Sequence, residues 1–167
     1  RVFTYSTMTI SRTFDELEAL SIVESRKVGR KRVLSSSMPR KKIWDTTWEY
    51  LLSPVKDRRY ITRLSPNRDG ISAGLSALAQ YTMIAEPRNP VYACTRDEWN
   101  VMLEGNRVEV LPEAELGAIE IEIWTYDPRI CAKKALADPL SLYVSLQGGH
   151  DERIESALEE LAKEFPW

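Results

Sequence analysis

Histidine and cysteine are scarce in this chain, and their scarcity excludes several kinds of site. The 167 residues include one histidine, His150, and two cysteines, Cys94 and Cys131. A Ser-His or Cys-His catalytic pair would have to use His150, and no nucleophile-elbow pattern accompanies it. The cysteines form no C-x-x-C pair, so we expect neither a structural zinc site nor a disulfide framework. Free thiols are typical of a reducing cytoplasm, which is the expected location.

Long apolar runs and glycine-rich phosphate motifs are also lacking. No segment approaches the roughly 20 apolar residues of a membrane helix, and no secretory signal is present. There is neither a P-loop nor a dinucleotide-binding fingerprint. We therefore expect a protein that has no cofactor, metal or membrane contact and is not an enzyme. The chain begins at Arg1 instead of Met, so we expect that the natural N-terminus is missing.

The net charge of −2 is the sum of two opposite parts. Residues 1–42 hold ten basic and four acidic residues, a net charge of +6, and the remaining 125 residues hold 13 basic and 21 acidic residues, a net charge of −8. Such asymmetry indicates a segment that binds a polyanion, attached to a body with a different role.

The positive segment has the pattern of a helix followed by a basic hairpin. Apolar residues recur at helical spacing between Tyr5 and Leu20, and Ser6 is a suitable N-cap. Its apolar stripe, expected to be core, is Ile10, Phe14 and Leu17. Two β-capable runs between residues 22 and 34 flank a turn at Gly29. Five of the seven residues from Arg26 to Arg32 are basic.

This order carries a family resemblance. Residues 6–12 (STMTISR), 14–18 (FDELE), 22–24 (IVE) and 29–30 (GR) resemble the second half of the winged helix-turn-helix of bacterial MarR-like and GntR-like regulators. The resemblance covers about residues 1–36, with Ser21 where many such proteins have glycine. It implies a recognition helix and a wing, so the preceding helices of the domain are expected to be absent from this chain by truncation.

The resemblance also implies a double-stranded DNA interface. A helix fits the major groove, where its N-terminal residues reach base edges, while a basic wing follows the backbone or the minor groove. The expected helix contacts are Thr7, Thr9, Ser11 and Arg12. The expected wing contacts are Arg26, Lys27, Arg30, Lys31 and Arg32. The alternative for the basic run is a solvated hairpin without a partner.

Three local signals in the rest of the chain are a turn at residues 66–70, a capping box formed by Thr95 and Glu98, and a helix start at Asp138 and Pro139.

The remainder of the chain predicts a linker with a helix over residues 37–57 and an α/β domain over residues 58–167. The expected fold class is therefore α+β, a partial winged helix-turn-helix followed by a mixed α/β C-terminal domain. Residues 71–78 (ISAGLSAL) and 90–93 (PVYA) resemble the C-terminal domain of AbiEi-type abortive-infection antitoxins. Tyr81 and Thr82 depart from that pattern, because many members have His-Gly there. An ordinary helix packed on a strand is the alternative interpretation.

Two features of this domain allow other functions. Glu120 and Glu122 share one face of a predicted strand and could hold a divalent metal, as in some nucleases. Trp124 stands where such nucleases have lysine, so a solvated strand face is the preferred interpretation. Five aromatic residues could line an effector pocket or belong to the core, namely Trp44, Trp48, Trp99, Trp124 and Tyr126.

The sequence thus predicts a bacterial DNA-binding transcriptional regulator, a repressor in particular. A homodimer is expected because two-fold dimers read palindromic operators. The C-terminal domain would dimerise, bind a small-molecule effector or bind a partner. The alternative is a type IV antitoxin that neutralises a cognate nucleotidyltransferase toxin and regulates its own operon. A metal-dependent nuclease is the third possibility.

Overall fold

The computed structural model describes residues 5–63, 70–105, 108–149, 151–163 and 165. The chain divides into two compact units, the first ending at Leu51 and the second beginning at Leu52. His150 lies outside the described residues. Residues 66–69 of the turn predicted at residues 66–70 also lie outside them. The fold class is α+β, as predicted.

The first unit contains a helix, a two-stranded hairpin and a second helix. Its elements are α1 (Thr7–Ala19), β1 (Glu24–Val28), β2 (Lys31–Ser35), α2 (Arg40–Thr47) and a 3₁₀ turn (Trp48–Tyr50). The Ser6 side chain accepts a hydrogen bond from the Thr9 amide at 3.1 Å, which confirms the predicted N-cap. The segment 37–57, predicted as a linker with a helix, contains α2 and the 3₁₀ turn.

The hairpin turns at Gly29 and Arg30. Strands β1 and β2 pair antiparallel, with Val28 opposite Lys31, so that two residues connect them. Gly29 has φ of +60°, a conformation that most residues adopt only at a cost, whereas Arg30 is not among the residues with positive φ. Glycine at the first central position is the pattern of a type II′ hairpin turn. The sequence prediction of a hairpin around Gly29 is confirmed.

The apolar stripe of α1 is covered only at its C-terminal half. Phe14 and Leu17 are half-buried, and Ile22 in the following turn is 4% exposed. Ile10 is 41% exposed, so the prediction that it belongs to the core is wrong. No described residue covers the first two turns of the helix, where residues 5–13 are all exposed.

The second unit is built around a mixed five-stranded sheet. Its strands are β3 (Val55–Arg63), β4 (Ile71–Ser72), β5 (Val91–Thr95), β6 (Val108–Leu111) and β7 (Ile119–Trp124). Its helices are α3 (Gly74–Tyr81), α4 (Arg96–Glu104), α5 (Pro139–Leu146) and α6 (Glu152–Lys163). The strand order is β4-β5-β7-β3-β6, in which β5 and β7 run parallel and the other neighbours run antiparallel. Strand β7 therefore lies at the centre of the sheet.

Local sequence signals account for several helix starts in this unit. The capping box predicted at Thr95 and Glu98 forms, with the Glu98 amide donating to the Thr95 hydroxyl at 3.2 Å. Asp138 caps α5 by accepting from the Ser141 amide, and Pro139 occupies the first helical position. No helix in the described part of the chain is long and apolar enough to cross a membrane.

Candidate nucleic-acid interface

The N-terminal half of α1 presents its polar side chains on different faces. Residues four apart in a helix share a face, so Thr7 lies above Ser11, and Thr9 lies above Thr13. The Thr9 and Ser6 hydroxyls lie 2.9 Å apart, and the Thr13 hydroxyl donates to the Thr9 carbonyl at 3.1 Å. Thr9 therefore takes part in capping, and it does not share the face of Thr7 and Ser11.

The two ends of α1 differ in charge. The first turn contains no acidic residue, so the partial positive charge of the helix N-terminus is not neutralised by a local carboxylate. The acidic residues Asp15, Glu16 and Glu18 all lie in the second half of the helix. Carboxylates near a helix C-terminus are unfavourable unless they are paired. Asp15 and Glu18 are paired, because both accept from Arg32 of the hairpin.

The hairpin has two faces, and its register assigns each residue to one of them. Cross-strand partners lie on the same face, and side chains alternate along each strand. One face carries Ser25, Lys27, Arg32 and Leu34. The other carries Arg26, Val28, Lys31 and Val33, all of which are exposed.

Arg32 is tied to α1. Its Nη1 donates to Asp15 Oδ1 at 2.6 Å, its Nη2 pairs with Glu18, and its Nε donates to Ser25 Oγ at 3.0 Å. The guanidinium also lies 5.5 Å from the centre of the Phe14 ring, within the range of a cation–π contact. Hydrogen bonds from Ser25, with a contribution from Arg32, lower the pKa of Glu18 below its ordinary value. Arg32 therefore contacts its own protein, in contrast to the other predicted wing residues.

The other predicted cations remain available to a ligand. Arg12, Arg26, Lys27, Arg30 and Lys31 are all exposed. Among the residues that the structure describes, none of them has an ion-pair partner. Four of the five lie on the hairpin. Arg26 and Lys31 share the face that does not carry Arg32, Lys27 lies on the same face as Arg32, and Arg30 lies at the tip. The arrangement can neutralise several phosphates at once.

The partners of Arg32 were not predicted from the sequence. Asp15 and Glu18 lie 17 and 14 residues before Arg32, too far for a helical spacing rule to connect them. The only signal is that two acidic residues three positions apart precede a basic hairpin. The ion pairs of Arg32 with these residues can be recognised only once the hairpin is folded back on the helix.

A second cluster of charges lies inside the second unit. Glu122 on β7 is 1% exposed, so the prediction of a solvated strand face is wrong at this residue. Its Oε1 accepts from Arg58 Nη2 at 3.2 Å and its Oε2 accepts from Trp124 Nε1 at 3.0 Å. Arg58 Nε also lies 3.2 Å from Glu120 Oε1. Because a buried carboxylate needs partners for its charge, this network explains how Glu122 is accommodated.

The geometry of this cluster does not favour a metal ion. Burial raises the pKa of Glu120, an effect that Arg58 opposes and Glu122 reinforces. No group of three or more histidine, cysteine or acidic residues that could hold a metal occurs in the described ranges. Arg58 occupies the position between the two carboxylates that a cation would take. The cluster therefore does not support the nuclease interpretation.

The five aromatic residues considered for an effector pocket differ in burial. Trp99 and Trp124 are buried, at 4% and 2% exposure, whereas Trp48 is 39% exposed. An open groove of about 1000 Å³ lies between residues 83–88 and α6 in the second unit, and its walls contain none of the five aromatic residues. Met83, Ile84 and Ile154 contribute apolar surface to it.

Comparison with known proteins gives no relative from which to transfer a function. No protein-family model, no curated protein and no solved structure matches this chain. The function of this chain is therefore inferred from its own residues alone.

Proposed function

We propose that the protein is a DNA-binding transcriptional regulator, with α1 as a recognition helix and the β1–β2 hairpin as a wing. The observation that carries this proposal is the set of exposed, unpaired cations on a hairpin whose orientation relative to α1 is held by Arg32. A solvated hairpin without a partner has no need of such a fixed cationic surface.

The proposed contacts differ slightly from those expected from the sequence. Thr7 and Ser11 share one face of α1 and Arg12 lies on the adjacent face. All three are exposed on the acid-free half of the helix and are the proposed contacts to bases or adjacent phosphates in the major groove. Thr9 contributes mainly through the N-cap. The proposed phosphate contacts of the wing are Arg26, Lys27, Arg30 and Lys31. Arg32 is left out of this set because its guanidinium is already engaged.

The second unit has a different role in this proposal. From Leu52 onward the chain holds 13 basic and 19 acidic residues, a net charge of −6, which DNA would repel. We propose that this unit supplies dimerisation, effector binding or partner binding, so that the regulator acts as a homodimeric repressor in the cytoplasm. Its open groove beside α6 is the candidate for a small effector.

A salt titration tests the proposal. The full chain is titrated on duplex DNA from the promoter of its own gene, and affinity is measured between 50 and 200 mM salt. Each neutralised phosphate contributes about 0.9 to the slope of log K against log salt. The double variant Arg30→Ala with Lys31→Ala should therefore flatten the slope by about 1.8.

The matched control removes two cations from the second unit. Lys133 and Lys163 are both exposed there and lie outside the groove, so Lys133→Ala with Lys163→Ala changes the net charge equally. This control should retain the parental slope. Salt-independent binding by the parent, or equal slopes for the hairpin and control variants, would contradict the proposal.

A further inference from the structure

We propose that Arg32 is a positioning residue of the DNA interface, which clamps the hairpin onto α1 and does not bind phosphate. The inference rests on the proposed function for its role in DNA binding, whereas the clamp itself is a property of the free protein.

Every nitrogen of the Arg32 guanidinium donates a hydrogen bond within the protein. Nη1, Nη2 and Nε each have an acceptor, on Asp15, Glu18 and Ser25 respectively. The planar fork of arginine suits such multiple recognition, which a lysine ammonium cannot reproduce. Two N–H donors remain, but a phosphate that used them would have to approach the carboxylates of Asp15 and Glu18, which repel it.

Glu18 joins α1 to both strands of the hairpin. Its Oε1 accepts from the backbone amide of Ser25 on β1 at 2.8 Å, while its Oε2 pairs with Arg32 on β2. At the base of the hairpin, the Ser36 hydroxyl donates to the Ile22 carbonyl at 2.6 Å. The hairpin is thus held on the helix at more than one point.

The contact between Arg32 and α1 lies near the tip of the hairpin. Arg32 lies opposite Lys27, two residues from the turn, so Arg30 at the tip extends beyond the contact with α1. A clamp at this point fixes the direction of the cationic tip before DNA arrives. Binding then costs less ordering of the wing, because preorganisation reduces the entropy lost on association.

Amide hydrogen exchange of the full chain without DNA tests the clamp. The amide of Ser25 should exchange roughly threefold faster or more in Arg32→Ala, because the helix–hairpin contact opens more often. Arg32→Lys should behave like Arg32→Ala, since lysine cannot satisfy the three acceptors. The control Arg30→Ala, which removes an unpaired cation from the same hairpin, should exchange as the parent does. Unchanged exchange in Arg32→Ala would overturn the clamp.

Salt-dependent DNA binding tests the positioning role. Arg32→Ala should weaken binding roughly threefold to tenfold, through the ordering cost of a loose wing, with a parental salt slope. Arg30→Ala should flatten the slope by about 0.9. A slope flattened equally by Arg32→Ala, with rescue by Arg32→Lys, would show that Arg32 is a phosphate contact. If the parent fails to bind DNA while the exchange results hold, the proposed function fails and the clamp remains.

Discussion

Gly74, the first residue of α3, should not tolerate a methyl group. Its φ is +48°, and a Cβ built there lies 2.8 Å from Val91 Cγ1 and 3.3 Å from Glu122 Oε1. The left-handed conformation costs a non-glycine residue about 1–2 kcal/mol. Overpacking against a strand side chain adds about 1–3 kcal/mol. The lower entropy of the unfolded chain returns about 0.4–1 kcal/mol. Gly74→Ala should therefore lower the free energy of unfolding by about 2–4 kcal/mol.

Gly117 provides the matched control for this substitution. Its φ is +86°, and nothing lies within 4 Å of its Cβ position. Gly117→Ala should thus show the cost of backbone strain alone, whereas Gly74→Ala also has the collision with Val91. Urea denaturation followed by tryptophan fluorescence measures both, and a shared m-value makes their midpoints comparable. Equal destabilisation by the two variants would refute the packing argument.

Three further predictions concern the second unit. Burial raises the pKa of Cys94 to about 12, whereas Cys131 is exposed. A thiol reagent at neutral pH should therefore label Cys131 and should reach Cys94 only on unfolding. Rapid labelling of both cysteines in the native protein would contradict this prediction. Burial also raises the pKa of Glu120, so its charged form is disfavoured in the folded state. Glu120→Gln should therefore raise the free energy of unfolding at pH 7. The difference in stability between variant and parent should shrink as the pH falls from the pKa of Glu120 in the folded protein towards the ordinary carboxyl value. A constant difference across that pH range would exclude the buried charge of Glu120 as the cause. Arg58→Leu should lower the free energy of unfolding by about 1–3 kcal/mol, because the buried carboxylate of Glu122 loses its ion pair with Arg58. An unchanged free energy of unfolding in urea denaturation would show that the ion pair is dispensable.

Short-range patterns in the sequence predicted the local structure well. The N-cap at Ser6, the turn at Gly29 and the capping box at Thr95 each depend on residues within four positions of one another. Such signals act before tertiary contacts form, so they can be recognised without a fold. The helical start at Asp138 and Pro139 belongs to the same class.

Predictions that depend on long-range packing were less successful. Alternation of apolar and acidic residues in β7 predicted one solvated face, yet β7 is the central strand of the sheet and Glu122 is buried beside Arg58, 64 residues away. Strand order cannot be read from the alternation of a single strand. Arg32 shows the same limitation, because its basic character indicated DNA, while its partners on α1 became evident only from the folded hairpin.

The central claim is that α1 and the hairpin together form the DNA-contacting surface. NMR chemical-shift mapping of the labelled full chain, titrated with a duplex from its own promoter, measures this surface residue by residue. The account predicts the largest shifts at residues 7–12 and 26–31, with little change in the sheet of the second unit. Shifts confined to residues beyond Leu52, or no shifts at low salt, would contradict it.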